Sequence, residues 1–350
     1  MKTKRLIVAL LSTLIFSGTL MAGETFSKKY NKEYTVTETS YYKLINKFGK
    51  VHIETNNSDK LQIEVTVFVE AKNQGAANTI FDKIVITFTQ IDTLIQSITN
   101  ITSTIQNAEF HIDYLVKMPK NLRISLNNSF GDTYIQELTA KSEIEIKYGN
   151  LKADRMFFGD SKPRTMIDIA YGRASIDACD WLKLKVSFSE LEIGSSEALV
   201  IKSKFSKIDI NHAISVVADS KYDDPFNIDN VTNFVYTGEY SDVNIGNLLD
   251  MAEISAKYSD IDIERIGDKF TKLNISINYG NADIGVVSGS SFQIDAFAQY
   301  GSIDYPDEFK LSKSTERTEL KLSGTVGADK KTPSIIKIDA KYADIDFKIH

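Results

Sequence analysis

The stretch YSDVNI at residues 240–245 returns eighteen residues later as YSDIDI at residues 258–263. Each copy begins with an aromatic residue, continues with a small or polar residue, and then alternates polar with apolar residues. Eleven such phrases occur, and they begin at Phe130, Tyr148, Tyr171, Phe188, Phe205, Tyr222, Tyr240, Tyr258, Tyr279, Tyr300 and Tyr342. The first nine steps between them are 17 to 23 residues long, and the last is 42. A period near 18 residues indicates one structural unit stacked on itself.

Each repeat is predicted to contain two short strands. The residues before the aromatic alternate, as in IEIKY at 144–148, and this period of two indicates a half-buried strand. The small residue after the aromatic marks a bend, because a bulky side chain would crowd the corner. A second strand follows, as in IDI at 261–263.

A single unit of this kind cannot bury its own apolar face, but stacked units can. Equivalent strands are then expected to pair in parallel at a spacing of about 4.8 Å. We therefore predict an all-β fold, a single-chain parallel β-helix (β-solenoid) of about 18-residue coils with a β-rich N-terminal cap. Because the aromatic residues fall at the same phase of every coil, we expect them to stack as an internal ladder in the core.

The first 22 residues have the composition of a signal peptide. Lys2, Lys4 and Arg5 provide the positive charge, residues 6–16 are apolar, and residues 17–22 are mostly small. We expect cleavage after Ala22. No later segment is apolar enough to be predicted as transmembrane.

Residues 23–118 are predicted to form the N-terminal β-rich cap and first coil. The aromatic phrase appears once here, at Phe48. The expected elements are a strand over 61–69, a short helix over 74–82, paired strands over 83–88 and 94–101, and a strand over 110–117.

Residues 119–350 are predicted to form the repeating β-solenoid. An insertion near 305–334 accounts for the long step between Tyr300 and Tyr342. The chain ends on the phrase itself, so we expect an uncapped last strand at the C-terminal end of the solenoid.

The net charge of the chain limits the classes of partner that it is expected to bind. Removing residues 1–22 removes three of the 41 basic residues and none of the 47 acidic ones, which leaves a net charge of 38 − 47 = −9. An acidic chain argues against nucleic acid and against anionic membranes as partners. The one cysteine, Cys179, cannot form an internal disulfide.

Two rows of polar residues are the first candidates for a binding site. The residues two places after the aromatic are Asp132, Asn150, Glu190, Asp224, Asp242, Asp260, Asn281 and Asp344. The residues four places after it are Asp209, Asn244, Asp262, Asp283, Asp304 and Asp346. The rows are interpreted as a solvated polar face, with weak cation or ligand binding as the alternative. The lysines that precede the aromatics are candidates to compensate this charge: Lys147, Lys204, Lys221, Lys257 and Lys341.

Catalytic residues are not indicated by the sequence. The acidic residues are spread along the coils, and the histidines at 52, 111, 212 and 350 lack metal-ligand spacing. The nucleophile-elbow, zinc-protease, P-loop and dinucleotide-binding motifs are also absent from the sequence. We therefore predict no catalytic, cofactor-binding or metal-binding residues and no cofactor. Trp181 is interpreted as a packing residue, with an exposed contact as the alternative.

Several of these segments resemble one bacterial family. The series PKNLRISLNNSFGDTYIQEL from Pro119, the phrase LINKFGKVHIET from Leu44 and the late segments LKLSGTVG and IIKIDAKYADIDF are similar to the putative-adhesin β-helix family of Bacteroidetes-type bacteria. The resemblance covers most of the chain beyond residue 22. It implies a secreted or cell-envelope β-solenoid, and it supplies no established catalytic residues.

The sequence favours a non-enzymatic secreted or cell-envelope β-solenoid, an adhesin-like binding or structural protein. The alternative is a carbohydrate-active parallel β-helix enzyme acting on polysaccharide, and a further alternative is a scaffold that associates end to end. The expected location is exported: periplasmic, cell-surface or secreted. The partner is unknown, with a glycan or a cell-surface protein as candidates.

Overall fold

The computed structural model describes residues 24–106, 108–157 and 165–350. The predicted signal peptide therefore lies outside the described residues. The described part of the chain is all-β, with 71% of its residues in strands and 3% in helix. The strands, in chain order, are β1 Glu24–Thr35, β2 Tyr41–Lys47, β3 Val51–Asn56, β4 Lys60–Ala71, β5 Ile84–Ile91, β6 Leu94–Ile101, β7 Phe110–Pro119, β8 Arg123–Ser129, β9 Thr133–Leu138, β10 Glu143–Lys147, β11 Leu151–Met156, β12 Thr165–Ala170, β13 Arg173–Ser187, β14 Glu190–Lys204, β15 Lys207–Lys221, β16 Phe226–Glu239, β17 Val243–Lys257, β18 Ile261–Ile266, β19 Lys272–Val286, β20 Phe292–Gln299, β21 Ile303–Asp304, β22 Ser312–Glu316, β23 Glu319–Val326 and β24 Ile335–Ile349.

The repeats form two rows of strands within one long mixed sheet. The strand before each aromatic belongs to the first row, where β8, β10, β12 and the second half of β13 pair in parallel. The strand after the aromatic belongs to the second row, where β9, β11 and the first half of β13 pair in parallel. From β13 to β17 one strand of 14 or 15 residues spans both rows. Equivalent residues of successive repeats are partners, as Ile193 and Ile210 are.

The core consists of the inward side chains of both rows. Ile146 and Ile169 from the first row and Ile135 and Ala153 from the second are completely buried. Their alternation with exposed residues confirms the period-two interpretation of the sequence.

The N-terminal segment adds antiparallel strands to both rows. β1 pairs with β4, and β4 pairs with β7, while β5 pairs with β6. β2 and β3 pair in parallel with β8 and β9, so the phrase at Phe48 continues the repeats. The predicted helix is present as α1, Gln74–Phe81, and the side chain of Asn73 caps it by accepting the backbone N–H of Ala76 at 2.9 Å.

The C-terminal strand departs from sequence order. β24 lies between β19 on one side and β20 and β21 on the other, and it pairs with all three in parallel. The outer edge of β20 is covered by β23, which pairs with it antiparallel and carries β22. The expectation of an uncapped C-terminal strand is therefore wrong. Insertion gives β24 partners along both of its edges and buries Ile338 and Ile345.

The inserted position of β24 can be tested by disulfide formation. Asp283 is the register partner of Asp346, and Asp346 is the partner of Asp304 on the far side. Adjacent parallel strands lie about 4.8 Å apart, within the Cα separation that a disulfide spans, whereas two strand steps do not. We predict that Asp283→Cys/Asp346→Cys forms a disulfide under mild oxidation and that Asp283→Cys/Asp304→Cys does not, as measured by thiol titration and peptide mapping. The reverse result would show that the strands stack in sequence order.

Candidate functional site

The aromatic residues form a continuous stack on the outside of the molecule. We call this stack the aromatic ladder, and its order is Phe48, Phe130, Tyr148, Tyr171, Phe188, Phe205, Tyr222, Tyr240, Tyr258, Tyr279, Tyr342 and Tyr300. Neighbouring ring centroids lie 4.8–5.1 Å apart, and the ring planes differ by 2–12°. Each side chain is 37–51% exposed, so the prediction of an internal ladder is wrong.

The backbone at each corner explains why the rings face outward. Every ladder residue has a φ between 50° and 61°, in the left-handed region. This conformation interrupts the alternation and turns the next residue inward. The inward residue must be small, since a Cβ on Gly149 would lie 2.1 Å from the carbonyl oxygen of Gly131. The prediction of a crowded corner is thus confirmed, but the small residue occupies the interior.

Serine side chains continue the backbone pairing through these corners. The backbone N–H of Ser189 donates to Oγ of Ser206 in the next repeat at 3.3 Å, and that of Ser241 donates to Oγ of Ser259 at 2.9 Å. All four serines are buried. A buried polar group needs such a partner, so this chain of hydrogen bonds satisfies the corner.

Asp223 stands at this inward position where neighbouring repeats have serine. Its carboxylate accepts the hydroxyls of Ser203 and Ser220 at 2.5 and 2.6 Å and the backbone N–H of Ser206 at 2.8 Å. Burial raises the pKa of Asp223, and these hydrogen bonds oppose the rise. The carboxylate is 1% exposed and held on several sides, which assigns it a structural role.

The pH dependence of stability tests this assignment. Because its pKa is raised on folding, Asp223 contributes stability that is fully present below the unfolded pKa of about 4 and is lost as pH rises through the folded pKa. We predict that Asp223→Asn becomes progressively more stable relative to the unmodified chain as pH rises through this window. Urea unfolding from about pH 4 to about pH 7 measures the difference. Asp219→Asn, at a partly exposed position on β15 just before this corner, serves as the control. A pH-independent difference for Asp223→Asn would contradict the assignment.

The polar row two places after the aromatics also supports the backbone. The carboxylate of Asp242 accepts the backbone N–H of Asp260 at 2.8 Å, and that of Asp260 accepts the N–H of Asn281 at 2.7 Å. Asp344 accepts the N–H of Ser302 at 2.8 Å. These exposed side chains therefore continue strand pairing across the corner.

The lysines before the aromatics have other neighbours. Lys221 pairs with Glu239 at 3.3 Å, and Lys147 pairs with Glu145. The ammonium groups of Lys204 and Lys257 lie 5.7 and 5.3 Å from the ring centroids of Phe188 and Tyr258. Four of the five lysines thus lie beside ladder rings or pair with strand glutamates, and the compensation of the polar row that the sequence suggested is not seen in their contacts.

The polar row four places after the aromatics borders a groove of about 810 Å³ on the second row of strands. We call it the acidic groove, and its polar side chains are Ser175, Asp177, Glu192, Lys207, Asp209, Asn211, Asn227, Asp229, Asn244, Asp262 and Glu264. It therefore carries six carboxylates and one lysine. The structure brings the predicted residues Asp209, Asn244 and Asp262 to this groove, while Asp283, Asp346 and Asp304 continue their row beyond it.

The strands that line the groove share one position at which their pairing lapses, and we call this position the bend. Pairing of β14 with β15 is interrupted after Ile193 and resumes at Ser195. At the bend, a Cβ on Gly194 would lie 2.3 Å from the carbonyl oxygen of Asp177, and one on Gly246 would lie 2.6 Å from that of Asp229. The glycines thus allow the backbones to approach, and the residues at the same position in other repeats carry carboxylates or amides into the groove.

Amides and a lysine separate the carboxylates. Nδ2 of Asn227 donates to Asp209 at 2.7 Å, and Nδ2 of Asn244 donates to Asn227 at 2.9 Å. Lys207 pairs with Asp209 at 2.9 Å. Burial, and next the negative charge of Asp283, raise the pKa of Asp262. The groove thus places carboxylates of successive repeats side by side along one surface.

Four of the six groove carboxylates were missed by the sequence analysis. Glu192 shares the row of Asp209, and Asp177, Asp229 and Glu264 lie two residues farther along their strands, at the bend. The signal for these three was a polar residue or glycine at the sixth or seventh position after the aromatic. The alternation of polar and apolar residues does not reveal where strand pairing lapses. The sequence analysis therefore did not identify these three residues.

The remaining candidate residues lie apart from one another. His52 and His111 contact Glu54 and Asp113 at 3.4 and 3.8 Å. Burial raises the pKa of the Cys179 thiol to about 12. Trp181 lies on β13 and is half-buried. Within the described ranges, no three His, Cys, Asp or Glu side chains are placed to hold a metal ion.

In the described part of the chain, no helix combines the length and apolar character needed to cross a bilayer.

No family model matches the chain, and no curated protein matches it. Among solved structures, the chain is similar to a putative cell adhesion protein from Clostridium sporogenes, at 11% identity and a TM-score of 0.18, covering 92% of this chain and 100% of that one. A putative adhesin and a putative lipid binding protein, from Parabacteroides merdae and Parabacteroides distasonis, each match at 10% identity over 91% of this chain and 96% of theirs, with TM-scores of 0.31 and 0.30. The solved structures to which the chain is similar are thus described as putative adhesion and lipid binding proteins.

Proposed function

We propose that this protein is a non-enzymatic, exported or cell-envelope β-solenoid that acts as an adhesin and binds a neutral or amino-sugar glycan along the acidic groove. The observation that carries the proposal is the groove itself, in which carboxylates and amides recur from one repeat to the next. Carboxylate and amide oxygens accept hydrogen bonds from hydroxyl and ammonium groups. The acidic charge disfavours an anionic polysaccharide.

The repeat geometry supports the β-solenoid part of the proposal. Equivalent residues pair in parallel from β8 to β19, and one corner conformation recurs at every aromatic. Two rows of strands enclose a common core. A surface built from such repeats offers many similar shallow contacts, and several weak contacts along one polymer add up to stable attachment.

The shape of the groove supports binding over chemistry. Its side chains are spread over six successive strands, β13 to β18, instead of converging on one point. Asp209 is already engaged by Lys207 and Asn227, which holds its charge and orientation. Open, polar and repetitive surfaces are suited to holding an extended ligand, whereas catalysis requires groups positioned around one reacting bond.

One observation favours the alternative, a carbohydrate-active enzyme. The pKa of Asp262 is raised by burial and by Asp283, and Glu264 contributes to the same rise. A carboxyl that retains its proton more readily can serve as a general acid toward a glycosidic oxygen, with a second carboxylate as partner. Asp262 and Glu264 both line the groove.

The groove proposal predicts that its charges determine binding. Glu192→Gln/Asp209→Asn removes two carboxylates that border the groove while keeping similar side-chain shape. We expect this variant to bind a responsive glycan at least about tenfold more weakly, because each lost charged hydrogen bond costs about 1.5–3 kcal/mol. A glycan array identifies the ligand, and calorimetry measures the affinity of purified protein.

The matched control removes two exposed carboxylates from the first row of strands. Asp295→Asn/Asp339→Asn makes the same change in charge outside the groove. Binding by the control at the level of the unmodified chain supports the groove assignment. An equal loss of glycan affinity in both variants would show that net charge, and not the groove, determines binding. Failure of the unmodified protein to bind any glycan would contradict the proposal. Release of reducing ends from the bound glycan, abolished by Asp262→Asn, would establish the enzyme instead.

A further inference from the structure

The aromatic ladder leaves a large aromatic surface in solvent. Its twelve rings are each 37–51% exposed. Since a fully buried Phe or Tyr covers 150–250 Å², the ladder exposes on the order of 1,000 Å². The largest apolar patch of an ordinary monomer is about 300–600 Å², and a stable interface takes about 800 Å² from each partner. The ladder is therefore large enough to be an interface in its own right.

The stacking of the rings restricts what can cover them. Neighbouring centroids are only 4.8–5.1 Å apart, so each inner ring face is already occupied by the next ring. A sugar or a flat ligand cannot stack on those faces, and only ring edges and phenol hydroxyls point outward. Six consecutive rings are tyrosines, namely Tyr222, Tyr240, Tyr258, Tyr279, Tyr342 and Tyr300. A fitting partner presents groups at the same strand-like repeat, and a second copy of this chain does so.

The tyrosine half of the ladder has flanks of opposite charge. Lysines precede the rings on one flank, and aspartates follow two residues after them on the other. The exposed members are Lys221, Lys257 and Lys341 on the first flank and Asp224, Asp242, Asp260 and Asp344 on the second. Glu239 interrupts the lysine flank, and it is already paired with Lys221.

The two flanks determine the orientation in which two copies fit. If both copies run in the same direction, a two-fold axis along the ladder places each lysine flank against the aspartate flank of the partner. If they run in opposite directions, the axis crosses the ladder and places lysine against lysine. Opposite charges across an interface favour the first arrangement, and like charges cost several kcal/mol in the second.

We propose that the aromatic ladder is a self-association surface that joins two copies of this chain side by side and in the same direction. Tyr222 to Tyr300 form the centre of the contact, and Lys257 of each copy faces Asp260 of the other. None of the ladder or flank residues lines the acidic groove, so the side chains of the groove are not used in this contact.

Charge reversal tests the arrangement through loss and rescue. Lys221→Glu/Lys257→Glu places acid against acid, and Asp224→Lys/Asp260→Lys places base against base. Each variant alone is expected to dimerise at least about tenfold more weakly in sedimentation equilibrium. An equimolar mixture restores opposite charges on both flanks and is expected to recover dimers. Lys337→Glu/Lys202→Glu changes exposed lysines on the first row away from the ladder and is the matched control.

A crosslinking experiment checks direction independently of the charge variants. Tyr171→Cys and Tyr300→Cys each introduce one exposed thiol, while the native Cys179 is buried. In the same-direction dimer each new cysteine lies opposite the equivalent cysteine of the second chain. Both variants are therefore expected to form disulfide-linked dimers. Asp339→Cys, away from the ladder, is expected to remain monomeric under denaturing electrophoresis.

The possible outcomes separate clearly. Rescue by mixing together with both crosslinks supports the proposal. A chain that sediments as a monomer up to its solubility limit overturns it. Charge variants that dimerise as strongly as the unmodified chain, or crosslinking by Asp339→Cys alone, overturn it as well. Circular dichroism melts confirm that each variant is folded, and because glycan binding is measured separately, failure here leaves the groove proposal standing.

Discussion

The close approach of backbones at the aromatic corners is the constraint on which the rest of the structure depends. The inward residue at each corner lies so near the repeat below that a Cβ on Gly149 would come within 2.1 Å of a carbonyl oxygen. Where serine replaces glycine, its hydroxyl joins the hydrogen bonds between repeats. Because the corner tolerates only small or hydrogen-bonding side chains inside, the aromatic residue before it is placed outside. The stack of rings at 4.8–5.1 Å follows from strand spacing and stabilises it in return.

The sequence predicts the strands because burial imposes a period of two on them. Leu191, Ile193, Ile208 and Ile210 are buried as the alternation requires, and paired repeats keep these residues in register. The same pattern predicts that an aromatic residue in phase with buried neighbours is also buried. This prediction fails at Phe188 and Phe205, where the backbone is left-handed. The left-handed conformation interrupts the alternation, so the aromatic ring lies outside and the residue after it lies inside. The alternation does not predict the sign of φ at a non-glycine residue. The position of the ladder on the outside could therefore be seen only in the structure.

Neither the order of the repeats nor the shape of the groove could be predicted from the sequence, and the reasons differ. The phrase at Tyr342 has the same packing requirements as the phrases at Tyr279 and Tyr300, so the pattern alone fits it beside either. Its place between them depends on the antiparallel hairpin of β22 and β23, which occupies the outer edge of β20. The groove depends on a bend where pairing lapses for one residue. Its predicted members, such as Asp209 and Asp262, were found because they share a phase, whereas Asp177 and Glu264 lie at the irregular position.

In every repeat the inward side chains are fixed by the same packing, so function depends on the outward side chains that packing does not use. At the corners, Asp242 and Asp260 accept backbone N–H groups, so their place in a polar row has a structural cause. In the groove, Glu192 and Asp262 follow the same period, yet the bend exposes them together along one surface. Outward groups that share a period with the backbone meet any regular polymer, or a copy of the same chain, at matching intervals. The regularity that makes one contact weak therefore allows many to form at once, and this favours extended partners over small ligands.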